Sequence, residues 1–272
     1  MSSAQGKRGA PSRFRRAEST AAPKVIAVIP PIRVEDYERE RRRRQYQDHA
    51  GPGIAVDVRL LRGGPPLTDR EYELFWTTAY MILEAEAAER EGAAAVVIDC
   101  TADPGFTQIA EAVNTPVVGA LQAGVHLALQ LGRSFSVLAL DAHWARMIDA
   151  SLTSCGLGGG KTSTEVVGTH VYQPRRGRVM NKSESGKFYG QLLDAGRRAI
   201  AAGADTVILG STTIIEDITR LQADLGIPVI PPGIAALKTA ELMLSSGLHM
   251  SRRAFPAPAI RFGDQMRKNL GI

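Results

Sequence analysis

Two short segments of the chain align with each other, and each ends on a group that can exchange a proton. Glu91-Gly-Ala-Ala-Ala-Val-Val-Ile-Asp-Cys100 written above Ala202-Gly-Ala-Asp-Thr-Val-Ile-Leu-Gly-Ser211 pairs Gly92 with Gly203, Ala93 with Ala204 and Val96 with Val207. The aliphatic run closes on Cys100 in one copy and on Ser211 in the other, and downstream Thr115-Pro-Val-Val pairs with Ile227-Pro-Val-Ile. Ligands of open α/β sheets bind beyond the carboxyl ends of the strands. A thiol and a hydroxyl at equivalent strand ends, Cys100 and Ser211, therefore predict one cleft approached from opposite sides. Asp103 with Pro104, and Thr213 with Glu216, read as helix starts. Backbone N–H groups gathered there would hold an anion and lower a thiol pKa.

The elements that must position these groups alternate along the chain. Apolar runs predict strands at Lys24–Pro30, Ile54–Leu60, Ala94–Ile98, Pro116–Gly119, Ser134–Leu140, Glu165–Thr169, Asp205–Leu209 and Pro228–Ile230. Helices are expected over Glu35–Asp48, Thr68–Glu91 (a Thr68/Glu71 capping box), Gly186–Ala202, Glu216–Leu225 and Ile234–Leu244. Strand–helix alternation means a mostly parallel sheet covered on both faces. With the repeat, it predicts two pseudo-symmetric Rossmann-like α/β domains with the site in the cleft between them.

Composition narrows the function classes. The chain has 272 residues, 33 Lys+Arg against 28 Asp+Glu, and only two cysteines, Cys100 and Cys155. That excludes a disulfide scaffold and a multi-Cys zinc site. Of the net charge of +5, residues 1–23 supply +4 through Lys7, Arg8, Arg13, Arg15 and Arg16 against Glu18. The excess thus sits in a Ser/Ala/Pro/Arg tail read as disordered, not on a folded nucleic-acid-binding face. The tail lacks the long apolar stretch of a secretory signal, and no apolar run approaches the ~18 residues of a membrane span. A cytoplasmic protein with no nucleic-acid or membrane partner is expected.

Other chemistry-bearing residues have plainer readings. Gly158-Gly159-Gly160-Lys161-Thr162 resembles a phosphate loop, but the required first glycine is Cys155; an interdomain loop is expected, and Cys155 reads as structural. Arg41–Arg44 reads as a solvated face, Asp99 as pointing away from Cys100, and His126 as a packed histidine in a stripe with Leu121, Val125 and Leu129. His170 and Tyr172 open an Arg-rich stretch in which Arg175, Arg176 or Arg178 could meet an anion, although a solvated loop is the favoured reading. No His/Asp/Glu cluster has metal-ligand spacing, and no cofactor is expected.

Several segments, in order, resemble the aspartate/glutamate/hydantoin racemase superfamily, above all its hydantoin and allantoin racemase branch. They are Gly92–Gly105 (GAAAVVIDCTADPG), Thr115–Ala120 (TPVVGA), Gly132–Leu140 (GRSFSVLAL), Gly203–Thr213 (GADTVILGSTT), and Gly226–Pro232 (GIPVIPP) with Ser251-Arg252-Arg253. The resemblance implies a cofactor-independent racemase or isomerase in which two thiols face each other across the substrate carbon. It matches Cys100 to the first thiol, as acid/base or nucleophile, places Ser211 at the second, as a weaker partner or oxyanion donor, and matches Thr101, Thr212 and Thr213 to the ligand-binding turns. It also implies domains of 24–119 plus 232–272 and 120–231, a homo-oligomer, and a small anionic or hydantoin-like substrate. The carboxylate-binding turn after the first strand is here Ile29-Pro30-Pro31-Ile32-Arg33, so Pro30 and Arg33 take that place, with Arg33 as a carboxylate clamp or a surface residue. Within the superfamily, arylmalonate decarboxylases keep one thiol in the second half, whereas maleate isomerase-like members use the first-half cysteine as nucleophile. The alternatives are thus one-thiol decarboxylase or isomerase chemistry, or a non-catalytic binding homologue.

Overall fold

The computed structural model describes residues 22–33, 36–66, 68, 70–168, 182–214 and 217–271. Among the described residues, eight parallel strands form two four-stranded sheets. The first contains β1 (Lys24–Ile29), β2 (Ile54–Val58), β3 (Ala95–Ile98) and β4 (Val117–Gly119) in the order β2-β1-β3-β4. The second contains β5 (Phe135–Ala139), β6 (Lys161–Val166), β7 (Thr206–Leu209) and β8 (Val229–Ile230) in the order β6-β5-β7-β8. The two orders are the same permutation, as a duplicated unit requires. The expected strand at Glu165–Thr169 forms earlier, as β6, directly after one 3-10 turn at Gly158–Gly160. That glycine run lies inside the second unit, not between domains.

The helices are α1 (Asp36–Gln47), α2 (Glu71–Arg90), α3 (Phe106–Ala112), α4 (Ala120–Leu131), α5 (Ala142–Ser154), α6 (Lys182–Ala201), α7 (Ile218–Leu225), α8 (Pro232–Ser245) and α9 (Gly263–Leu270). None of the described helices is long and apolar enough to cross a membrane. α8 follows the last strand of the second sheet yet packs on β3 and β4 of the first, while α4 packs on β5, β7 and β8. α4 and α8 pack against each other across the seam. Burial of Ile26, Val28, Val97, Val137, Ile208 and Ile230 in one cluster with Leu121, Val125 and Leu237 joins both sheets into a continuous core.

The repeat holds bond for bond. Gly92 and Gly203 both take left-handed backbone, with φ of 94° and 93°. Each closes the preceding helix, with Ala93 N–H donating to the Ala88 carbonyl at 2.9 Å and Ala204 N–H to that of Ala199 at 3.0 Å. Val96 N–H reaches Pro116 O and Val207 N–H reaches Pro228 O. Asp99 N–H donates to Ile29 O at 3.0 Å, and Gly210 N–H to Leu138 O at 2.9 Å. At Gly210 the approach is closer than a side chain tolerates: a Cβ would lie 2.5 Å from Leu138 O and 2.7 Å from Ala139 Cα, both backbone atoms. Gly210→Ala is expected to destabilise the fold by about 2–3 kcal/mol, as overpacking against immovable atoms does; a urea unfolding midpoint unchanged from wild type would contradict this.

Candidate active site

Cys100 lies two residues beyond β3 and Ser211 two residues beyond β7. Their local turns match. The Cys100 sulfur accepts the Ala102 N–H at 3.5 Å, and the Ser211 hydroxyl accepts the Thr213 N–H at 3.3 Å. Both side chains thus fold back on the amide two residues ahead. Ser211 Oγ also pairs with Thr213 Oγ1 at 2.9 Å.

The turns are joined across the seam by reciprocal bonds. Thr101 Oγ1 donates to the Gly210 carbonyl at 2.8 Å, and Thr212 Oγ1 donates to the Asp99 carbonyl at 3.4 Å. Each threonine follows one of the candidate groups and binds the residue that precedes the other. Thr101 is 1% exposed and Thr212 5%. Their hydroxyl protons are therefore directed to the opposite half, which makes both of them seam contacts. Trp144, near the start of α5, adds its indole N–H to Gly210 O at 2.8 Å and to Thr101 Oγ1 at 3.2 Å. Asp141 makes this position firm by capping α5, accepting the His143 and Trp144 N–H groups at 2.8 Å. Trp144 carries no signal in the sequence beyond the Asp-x-x-Trp spacing after a strand.

Helix capping differs from the expected pattern. α3 starts at Phe106 after Gly105 rather than at Pro104, and Asp103 (φ 44°) does not cap it. The Asp103 carboxylate instead accepts the Leu121 and Gln122 N–H groups at 3.0 and 2.9 Å, capping α4. α2 starts at Glu71, with Arg70 and not Thr68 at its cap. Thr213 does not open α7, which begins at Ile218, and Glu216 lies outside the described residues. Of the amides expected to cradle an anion beside Cys100, that of Ala102 meets the sulfur and that of Asp103 instead donates to the Cys100 carbonyl. The thiol pKa is not lowered. Burial drives it well above its ordinary value, the Ala102 N–H offsets part of the rise, and the charges of Asp103 and Asp99 add to it. Cys100, 4% exposed, is a protonated thiol at neutral pH.

Burial also pushes the Asp103 carboxyl up to about 7, against the two α4 amides that favour its charge. A carboxyl raised from 3.8 in this way contributes stability that is complete below about pH 4 and is lost as pH rises through about 7. Relative to Asp103→Asn, which does not titrate, the wild type is expected to lose unfolding free energy between pH 4.5 and 7.5. Urea titrations at those pH values test this, and a pH-independent difference would contradict it.

The remaining sequence candidates fall elsewhere. Pro30 is buried just beyond β1, and Arg33 is exposed in the same turn. His126 is exposed, as is Leu129; the buried stripe of α4 is Leu121, Val125 and Ala128, because the helix phase turns position 126 outward. Cys155 is exposed after α5, not packed. Asp99 points away from the thiol, into a buried cluster with Arg42 and Tyr46. Arg42 is the exception to the solvated reading of Arg41–Arg44, at 4% exposure. The basic tail, His170, Tyr172, Arg175, Arg176 and Arg178 lie outside the described residues.

Two parallel α/β units of the same strand order thus carry a thiol and a hydroxyl at equivalent strand ends, in matching turns. The chain belongs to the Asp/Glu/Hydantoin racemase family, whose model matches residues 26–240. It is 28% identical over 204 residues to a hydantoin racemase of Pseudomonas sp. (strain NS671), covering 73% of this chain and 76% of that protein. It is 26% identical over 191 residues to a hydantoin racemase of Paenarthrobacter aurescens, covering 70% and 78%. The fold is shared with the allantoin racemase from Klebsiella pneumoniae, with a TM-score of 0.77, 22% identity and coverage of 88% of this chain and 95% of that one.

Proposed function

We propose that this chain is a cofactor-independent racemase acting on a small hydantoin-like ring, moving a proton at the carbon next to a ring carbonyl through Cys100. The observation that carries this is the pair of matched turns, Cys100–Ala102 and Ser211–Thr213, joined by the reciprocal Thr101 and Thr212 bonds. Racemisation needs one group on each face of a planar intermediate, and the matched turns at the two strand ends support a pairing of that kind. The hydantoin racemases at 26% and 28% identity support the ring class.

In this reading the reacting form has one proton fewer: the Cys100 thiolate takes the proton from the substrate carbon on its face while the Ser211 hydroxyl delivers its own to the other face, and in the reverse direction the Ser211 alkoxide takes the proton and the Cys100 thiol delivers one. The Ser211 hydroxyl, paired with Thr213, serves the other face. A hydroxyl is a poorer acid than a thiol and a poorer base than a thiolate at neutral pH, so steps on the Ser211 side limit the rate. Association into an oligomer belongs to the same reading, supported by the exposed Tyr72, Phe75 and Trp76 on one stretch of α2.

The protonated state of Cys100 opposite a serine favours a second reading, one-faced protonation of an enolate after decarboxylation. One assay separates the two. A single enantiomer of a 5-substituted hydantoin, followed by chiral chromatography, is expected to drift to the racemate. A stable enantiomer, together with a single-handed product from a prochiral malonate, would overturn the racemase reading in favour of the second.

A further inference from the structure

The arginine run of α1 hides a buried cluster beneath the candidate site. Arg42 shares its guanidinium between Glu38 Oε1, one turn back, at 3.0 Å and Asp99 Oδ2. Tyr46, one turn on, donates to Asp99 Oδ1 at 2.5 Å. Gln45, between them, donates to the Thr212 carbonyl at 2.7 Å. Glu38, Arg42, Gln45 and Tyr46 share one helix face, and all four are buried. The contacted residues are the one before Cys100 and the one after Ser211, and they are bonded to each other by Thr212 Oγ1 and the Asp99 carbonyl. The start of α8 is shaped around the same point, since a Cβ on Gly233 would lie 2.4 Å from the Tyr46 hydroxyl.

A buried ion cluster is a poor way to gain stability, because desolvation consumes most of the attraction and apolar residues of similar volume do as well or better. Its effect is geometric. α1, Asp99 and Thr212 close a ring of hydrogen bonds that spans both halves. Proton transfer is sensitive to displacements near 1 Å, so a ring tied to both strand ends acts directly on the reaction geometry.

We infer that Arg42, Tyr46 and Gln45 are positioning residues, a clamp on α1 that sets the placement of Cys100 relative to Ser211. This rests on the proton-transfer reading above. Arg42 itself is a poor probe, because removing it leaves the buried Asp99 carboxylate with the Tyr46 hydroxyl but no cation, although Glu38 keeps Arg41, and so threatens the fold. Tyr46→Phe and Gln45→Met each delete one hydrogen bond and keep the side-chain bulk. Each is expected to leave the melting temperature within a few degrees of wild type and KM for a 5-substituted hydantoin within about twofold. Each is expected to lower kcat by at least about fivefold, and to change the rate of Cys100 alkylation by iodoacetamide, read by peptide mass spectrometry, by at least about threefold. A structural role alone would move the melting temperature and spare the kcat-to-KM split. Variants of unchanged melting temperature and unchanged kcat overturn the clamp and leave the proposed reaction standing. A wild type that turns over no hydantoin overturns the reaction instead, and the clamp is then decided by alkylation, where unchanged rates in both variants overturn it.

Discussion

Cys100→Ala is expected to lower kcat/KM for hydantoin racemisation by roughly 10²- to 10⁴-fold, the range a positioned acid/base contributes. The substitution removes one sulfur from a small buried site and leaves the Thr101, Thr212 and Trp144 seam bonds untouched. The fold should therefore persist, at a cost of about 1 kcal/mol in unfolding free energy. Cys100→Ser separates acidity from shape. It restores a hydrogen-bonding group that can accept the Ala102 N–H, as Ser211 accepts that of Thr213, yet its hydroxyl is no substitute for a thiol. It should be nearly as inactive as the alanine variant. Steady-state kinetics beside thermal melts check both, and a Cys100→Ser enzyme within a few-fold of wild type would contradict the role of the thiol.

Ser211→Cys is expected to act in the opposite direction, raising the racemisation rate by roughly 10- to 100-fold. The matched turns make it a conservative change, since the new side chain inherits an amide two residues ahead in a half-buried position. A thiol there would have a pKa nearer neutrality than a hydroxyl and would supply far more anionic base on the Ser211 face at neutral pH. The gain should appear in kcat for both enantiomers, because each direction of racemisation uses both faces. Chiral chromatography of the two single enantiomers measures it. A rate unchanged by Ser211→Cys in a folded protein would show that position 211 does not face the reacting carbon.

The duplicated architecture was legible in the chain because it is written locally. Gly92 and Gly203 mark left-handed helix ends, and Pro116 and Pro228 precede equivalent strands. What was not legible depends on contacts far apart in sequence. Asp103 has the spacing of a local cap, yet its partners are Leu121 and Gln122, because burial among the first-sheet strand ends turns it toward α4. That burial also reversed the expected effect on Cys100: a lone amide does not outweigh desolvation. Thr101 and Thr212 stand beside the candidate groups but spend their protons on the opposite half. Arg42 was concealed by its neighbours, since a run of four arginines reads as solvent-facing. Only the i, i+4 series Glu38, Arg42, Tyr46, set against a buried Asp99, marks it out.

Solvent deuterium exchange tests the central claim most directly. A single enantiomer of a 5-substituted hydantoin is incubated in deuterated water with wild type or Cys100→Ala, under conditions where the uncatalysed exchange is slow. With wild type, deuterium should enter the stereocentre as optical rotation decays, and with Cys100→Ala both should fall to background. Label uptake that proceeds at the wild-type rate without the sulfur would contradict the account.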